Sequence, residues 1–496
     1  MTSTRWLWTA LARPLVAVLA AGMLVVGASC TSDELYVGPL APAADAPAAT
    51  LAPIRENLLV CPGFEPLGLG EVPENDGVQT KVWAGAAPEA ALGPSPGDTP
   101  DDSGSVRLTQ RPDGAELATT SDRGSIGSSE VGGTSFVEVT GSGSLAPGLA
   151  SVQTSRVTDG DDRGLAATAC LAPRPEVWLL AGGGDSTRRE RLVIANPGAN
   201  TVTVDVAVHG AEGLLETSGS GRVTVPPHDR VSLLLDGLVA AEATPAVHLT
   251  ATGGSITAVL EDSWIEGATG RGRDEASPSV APALEQIIPA PSLTGPARLR
   301  LVVPGPAEAV VQVQLLTSAG PQSLAGGGVS RVRGGSVLDL PLEAVAPGDY
   351  AVHVRSDQPV TAAVLIERRG VDSAGQSDLG WMPAVPAVTT LAGSPLPGDT
   401  SARLVLAGVG EPWSGIVHRV AVDGSSSAET VSGSVDSVVA VDVSGSAAVW
   451  VQAGEHPVYA GLAVAVDDPD GPLFALIGVE PTAVARTVLP AIEVLR

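Results

Sequence analysis

Most of the residues in this chain that could do chemistry are carboxylates. Fifty-five Asp and Glu against 28 Lys and Arg leave a formal net charge of −27. Two acidic turns, Asp159-Gly-Asp-Asp-Arg-Gly164 and Asp467-Asp-Pro-Asp-Gly471, have the oxygen density of a calcium loop. The first places Arg163 where such a loop wants an oxygen ligand and Cys170 where its closing Glu belongs, and the second lacks a distal Glu. Both are therefore expected to be solvated turns. Carboxylates could also act as a glycosidase pair, about 5–10 Å apart in a cleft. Sugar clefts usually stack rings on aromatic side chains, however, and only eight Trp and three Tyr are present. Trp264, Trp381 and Trp413 fall in segments that read as loops or linkers. They are the candidate ligand-contact aromatics, with plugs between adjoining domains as the plainer alternative.

Other chemistries find no motif. None of the six histidines (His209, His228, His248, His353, His418, His456) stands in a close metal-ligand pair. The chain has no G-x-S-x-G and no G-x-G-x-x-G. Its one lysine, Lys81, follows Thr80 rather than glycine, so there is no phosphate-binding P-loop. The sequence thus names no catalytic residue, no metal ligand and no cofactor. Its acidity also argues against nucleic acid and anionic lipid surfaces as partners, since both repel it.

The elements that would position any site are short strands. Hydrophobic residues make up 44% of the chain and aromatics 3%, with 59 Gly and 41 Pro. Val, Ala and Leu therefore build the cores, and turns are frequent. Fifteen aligned residues recur three times, as Ala246 to Leu260, Ala351 to Leu365 and Ala448 to Leu462. Each is an apolar run, a Gly/Asp/Pro turn and a second apolar run, which predicts a hairpin. The copies lie about 100 residues apart, the length of one small sandwich domain. His248, His353 and Trp450 occupy matching positions, and a place that accepts His or Trp is structural.

Each repeat opens with a strand: Arg191-Leu-Val-Ile-Ala195, Arg298-Leu-Arg-Leu-Val-Val303 and Arg403-Leu-Val-Leu-Ala407. Turn residues and a strongly alternating strand follow, such as Thr201-Val-Thr-Val-Asp-Val-Ala-Val208. The fold class expected is all-β, a tandem array of immunoglobulin-like β-sandwiches at 176–285, 286–390 and 391–496. A further β domain occupies 57–175. A β-propeller-like array is the alternative, although its usual period of about 40–50 residues is half that seen here. Pro-rich stretches at Ala276 to Gly295 and Gly380 to Asp399 read as spacers in an elongated rod.

The N-terminus reads as a targeting segment. Arg5 and Arg13 precede an uncharged apolar run to Ser29, too short for a membrane span and suited to a signal sequence. Gly27-Ala28-Ser29 before Cys30 resembles a lipoprotein lipobox, departing from it at Gly27, which makes Cys30 a candidate lipidation site. Residues 1–30 are therefore a signal peptide or anchor, and 31–56 a Pro/Ala-rich linker. In an exported protein Cys61 and Cys170 are expected to pair.

Ala169-Cys-Leu-Ala-Pro173, Trp178, Gly182-Gly-Gly184 and Leu192-Val-Ile-Ala-Asn-Pro197 carry a resemblance. They resemble a domain family of unknown function typical of secreted or membrane-anchored envelope proteins of GC-rich, actinobacterial-type Gram-positive bacteria. The resemblance implies an extracytoplasmic location, secreted or anchored, and work alongside envelope glycosyltransferases. It brings no catalytic residues. The expectation is a non-enzymatic, tethered scaffold or binding protein whose partner is an envelope protein or cell-wall glycan. It would touch the membrane only through its N-terminal anchor. A carbohydrate-binding accessory factor of glycan synthesis is the alternative, and a secreted glycan hydrolase ranks below both.

Overall fold

Alternation of Val, Leu and Ala with polar residues puts one face of each strand into a core, and the strands pair antiparallel throughout the sheets that build the sandwiches. The computed structural model describes residues 50–488, except 66–77, 94–102, 161, 184–186, 240–241, 268, 325–326, 343–344 and 371–375. The candidate lipidation site Cys30 and the targeting segment lie outside the described residues. The chain divides into two units. Of the unit made of Met1–Leu51 and Thr487–Arg496, only 50–51 and 487–488 are described, all in extended strands. The other unit, Ala52–Arg486, holds every sandwich.

The fold is all-β, built of tandem sandwiches rather than propeller blades, because each repeat closes two sheets over its own core. In the first sandwich one sheet runs Glu56–Cys61, Phe136–Ser142, Ser105–Arg111, Glu116–Thr120. The other runs Gly127–Glu130, Val78–Ala86, Leu149–Val157, Gly164–Ala169. The same order recurs in strands Glu176–Leu179 to Thr269–Ala276, Ala283–Leu293 to Ser377–Pro383, and Leu391–Pro395 to Leu473–Val479. Among the described residues there are four copies of one topology, so 57–175 is a further sandwich of the same kind as the three repeats. Lys81-Val-Trp-Ala-Gly85 is the first sandwich's version of the Arg-Leu-Val-Ile-Ala opening strand.

The fifteen-residue repeat is not a hairpin. Ala246–Thr252 pairs within one sheet and Thr257–Glu266 within the other, so the turn between them crosses the sandwich. In the second copy, in the third sandwich, both halves belong to one 22-residue strand, Gly348–Arg369, which passes from sheet to sheet. Two buried apolar runs joined by a turn look alike in sequence whether they pair with each other or face each other across a core.

The Pro-rich stretches do not space the sandwiches as a rod would require. Much of each is strand: Ala283–Leu293 and Leu391–Pro395 are the first strands of the third and fourth sandwiches. Intervening residues such as Ser277, Ser279, Ala384 and Val388 are buried. Neighbouring sandwiches share apolar seams instead. Ala195 of the second packs on Val60 and Phe136 of the first. Val302 and Trp381 of the third join the second core, and Val405 and Ala407 of the fourth meet Ile287 and Leu316 of the third. The fourth returns to the first, with Leu391, Ala448 and Trp450 against Ala87 and Ala150.

Cys61 and Cys170 are disulfide-bonded across a sequence separation of 109, tying the first strand of the first sandwich to the residue after its last. Loop closure over that span stabilises the fold by about 4–5 kcal/mol on the chain-entropy model. Replacing both cysteines by serine is expected to lower unfolding stability by roughly that amount, read as a lower midpoint in guanidinium titration. An unchanged midpoint would show that the bond restrains nothing in the unfolded chain.

Candidate functional site

The closing strands of the four sandwiches, Gly164–Ala169, Thr269–Ala276, Ser377–Pro383 and Leu473–Val479, pack against one another in the middle of the unit. Asp378 stands at their crossing, fully buried. Its Oδ1 accepts the backbone N–H of Arg273 at 3.2 Å and of Leu379 at 3.0 Å. Its Oδ2 accepts those of Leu165 at 3.0 Å and Phe474 at 2.9 Å. One carboxylate thus receives a backbone donor from every sandwich. Glycine makes the approach possible, since a Cβ on Gly272 would fall 2.6 Å from Asp378 Oδ1 and one on Gly164 2.9 Å. Burial pushes the Asp378 carboxyl up to about 7, against the pull of its four donors.

Further buried carboxyls surround this point. Asp262 Oδ2 accepts from Arg188 Nη1 at 2.9 Å and from Trp381 Nε1 at 2.8 Å. Asp274 Oδ2 accepts the Trp381 backbone N–H at 2.6 Å. Glu275 Oε2 accepts from Gln153 Nε2 at 2.6 Å, and Glu261 Oε1 from the Glu65 N–H at 2.8 Å. Burial, then the charge of Glu275, raises Glu261 to about 8, while burial and then Asp262 raise Glu190 to about 7. Asp274 and Glu275 are also raised, by burial first. Raised carboxyls in pairs are what a general acid needs. These, however, are sealed between sandwiches: Glu261, Asp262, Asp274 and Glu275 are each at most 3% exposed.

The two acidic turns prove to be halves of one joint. Arg163, from the first turn, inserts its guanidinium into the second. Nη2 donates to Asp468 Oδ1 at 2.9 Å and to the Gly471 carbonyl at 2.7 Å, and Nη1 donates to the Pro472 carbonyl at 3.2 Å. An arginine of the first sandwich thus takes the place a cation would occupy in the fourth. Burial would raise Asp468, but the hydrogen bond and charge of Arg163 hold its carboxyl below the usual range. Among the described residues no group of three His, Cys, Asp or Glu is placed to hold a metal ion.

The candidate tryptophans are not brought together, and two are corrected as ligand contacts. Trp381 is 1% exposed, locked into the second–third seam by Asp262 and Asp274 with Arg300 over its ring. Trp413 is 3% exposed in the fourth core, lying across Gly408 and Gly433 where no Cβ fits. Trp264 is half-buried beneath Arg188. The matching His248, His353 and Trp450 bond to Glu176, Glu285 and the Gly148 carbonyl respectively.

Among the described residues, two of the larger clefts open at the surface. One, of about 770 Å³, lies between Arg368–Arg369 and the turn at Asp467–Gly471. The other, about 310 Å³, lies between the outward face of the first sandwich and residues 397–400 of the fourth. Trp83 and Lys81 line it. Sequence reading passed over Trp83 because its strand went unrecognised; the motif match to the opening strands would have marked it.

The model for "Family of unknown function (DUF5719)" matches residues 126–444. No curated protein matches the chain. A solved structure titled "Crystal structure of tetra-tandem repeat in extending region of large adhesion protein" aligns at 14% identity with a TM-score of 0.10, over 77% of this chain and 93% of that one.

The raised carboxyls set the pH dependence of stability. Each binds its proton more tightly folded than unfolded, so its contribution is complete below the unfolded value near 4 and falls as pH rises towards about 8. His209 and His353, both lowered by burial, act oppositely as pH falls through about 6.5 but are outnumbered. The thermal midpoint is therefore expected to fall steadily between about pH 5.5 and pH 8.5. A midpoint that rises across that window would refute the sign. Asp378→Asn turns two N–H donors towards an amide nitrogen, and is expected to cost about 2–6 kcal/mol in denaturant titration.

Proposed function

The chain belongs to the DUF5719 family of unknown function, and we propose for it a non-enzymatic role as a binding or scaffold protein of the cell envelope. On this reading the chain is an exported, actinobacterial-type envelope protein, tethered through residues 1–30, with Cys30 as the lipid attachment point. Its partner is an envelope protein or cell-wall glycan. One observation carries the proposal: the carboxylates with acid-like properties are consumed in joining the sandwiches, inside the protein, where no substrate reaches them. The disulfide supports residence in an oxidising compartment. Among the described residues no helix is long and apolar enough to cross a membrane.

A carbohydrate-binding accessory role in envelope glycan synthesis is the second reading, favoured by the polar cleft at Trp83. The test incubates the purified full chain with isolated cell-wall glycan, assays released reducing ends and follows co-sedimentation. No release over a day at neutral pH is expected. Release above the buffer control, lost on heat denaturation, would overturn the non-enzymatic reading.

A further inference from the structure

The seam between fourth and first sandwiches departs from the other three. In the opening strands, the residue two positions after the initial Arg-type position is Val193, Arg300 or Val405, each at most 1% exposed against the preceding sandwich. In the first sandwich that residue is Trp83, half-buried, with Lys81 in place of the arginine. The seam does not close over it but opens into the 310 Å³ cleft.

We propose that this cleft binds a short, neutral oligosaccharide. This deepens the binding reading above and rests on it. Strand alternation presents Lys81 and Trp83 on one face of Val78–Ala86. The register sets Glu130 beside Lys81 on one neighbouring strand and Thr154 on the other. Arg156 completes the row and reaches across the seam to Asp399 at 3.0 Å. Ammonium, carboxylate, hydroxyl and guanidinium groups around an indole suit sugar hydroxyls, which both donate and accept. The charges balance within the cleft, so nothing there selects for an anion, and the chain's net −27 disfavours one.

Trp83 is held by a hydrogen bond from Nε1 to Thr154 Oγ1 at 3.4 Å, and Lys81 Nζ lies 4.2 Å from its ring centroid. That cation–π contact at a solvated ring is weak and its stem flexible, so a sugar face can replace it and free the ammonium to bind hydroxyls. Gly398 forms the opposite wall, where a Cβ would stand 3.8 Å from the indole. The volume lies at the lower end of the range for small-ligand sites.

The test is isothermal titration calorimetry of the full chain with cellotetraose, chitotetraose, xylotetraose and mannotetraose, with tetragalacturonate as the charged comparator. Saturable binding of at least one neutral sugar is expected. Trp83→Ala should weaken it tenfold or more, Trp83→Phe less, and Lys81→Ala severalfold, while Trp264→Ala leaves it unchanged. Thermal midpoints within a few degrees of the unsubstituted protein show that each variant is folded. Lys81→Ala, at a half-exposed position, serves if Trp83→Ala does not fold. Absence of binding to every neutral sugar, binding of tetragalacturonate alone, or binding that Trp83→Ala and Lys81→Ala leave within twofold would each overturn the proposal. Cleavage of a bound sugar would instead sink the non-enzymatic reading and leave the cleft assignment standing.

Discussion

Four backbone N–H groups, one from the closing strand of each sandwich, end on the two oxygens of Asp378. Strands that meet from separate sheets cannot all satisfy one another by ladder pairing, and a buried donor without an acceptor costs about 1–3 kcal/mol. One carboxylate, with two oxygens and four lone-pair sites, resolves the crossing where a carbonyl with one oxygen would not. Glycines at 164 and 272 let the chains come close enough. Everything else in the unit is arranged around strands that this contact holds together.

The seams extend the same logic outward. Each combines an apolar patch with an arginine that reaches into its neighbour. Arg230 donates to the Pro62 and Phe64 carbonyls and to Glu65, and Arg300 to the carbonyls of Ala181, Gly182 and Pro245. Arg403 pairs with Asp349, and Arg163 fills the acidic turn of the fourth sandwich. Guanidinium groups suit this work because a planar fork with five donors meets several carbonyls at once and stays charged when buried. A chain with 27 arginines and one lysine is equipped for such joints. The lysine stands at the fourth–first seam, which opens into a cleft, where a flexible, solvated cation is more use than a rigid one.

Much of the fold was legible from local pattern. Alternation of polar and apolar residues over 105–109, 135–140 and 150–155 marks strands, and it falls on Ser105–Arg111, Phe136–Ser142 and Leu149–Val157. The first sandwich's kinship to the others was missed, since the short 3-10 turn at Gly143–Leu145 lengthens its crossing connection and obscures the repeat. The crossing turns passed for hairpins because the composition of a buried run does not say which sheet it joins. Trp381 and Trp413 passed for exposed loop residues, yet both belong to strands whose burial comes from partners far along the chain.

The sequence by itself determined the class of protein: all-β, repeated at about 100 residues, acidic, and without the G-x-S-x-G, P-loop or paired-histidine motifs. Those properties follow from periodicity, composition and spacing, which are local and survive in one dimension. Only the tertiary structure decided what the charges are for. Asp378, Glu261 and Arg163 look in sequence like any other charged residues, and their roles arise from groups between about 100 and 310 positions away. A carboxylate's surroundings set its proton affinity, its partners and its access to solvent, and all three are properties of the packed chain.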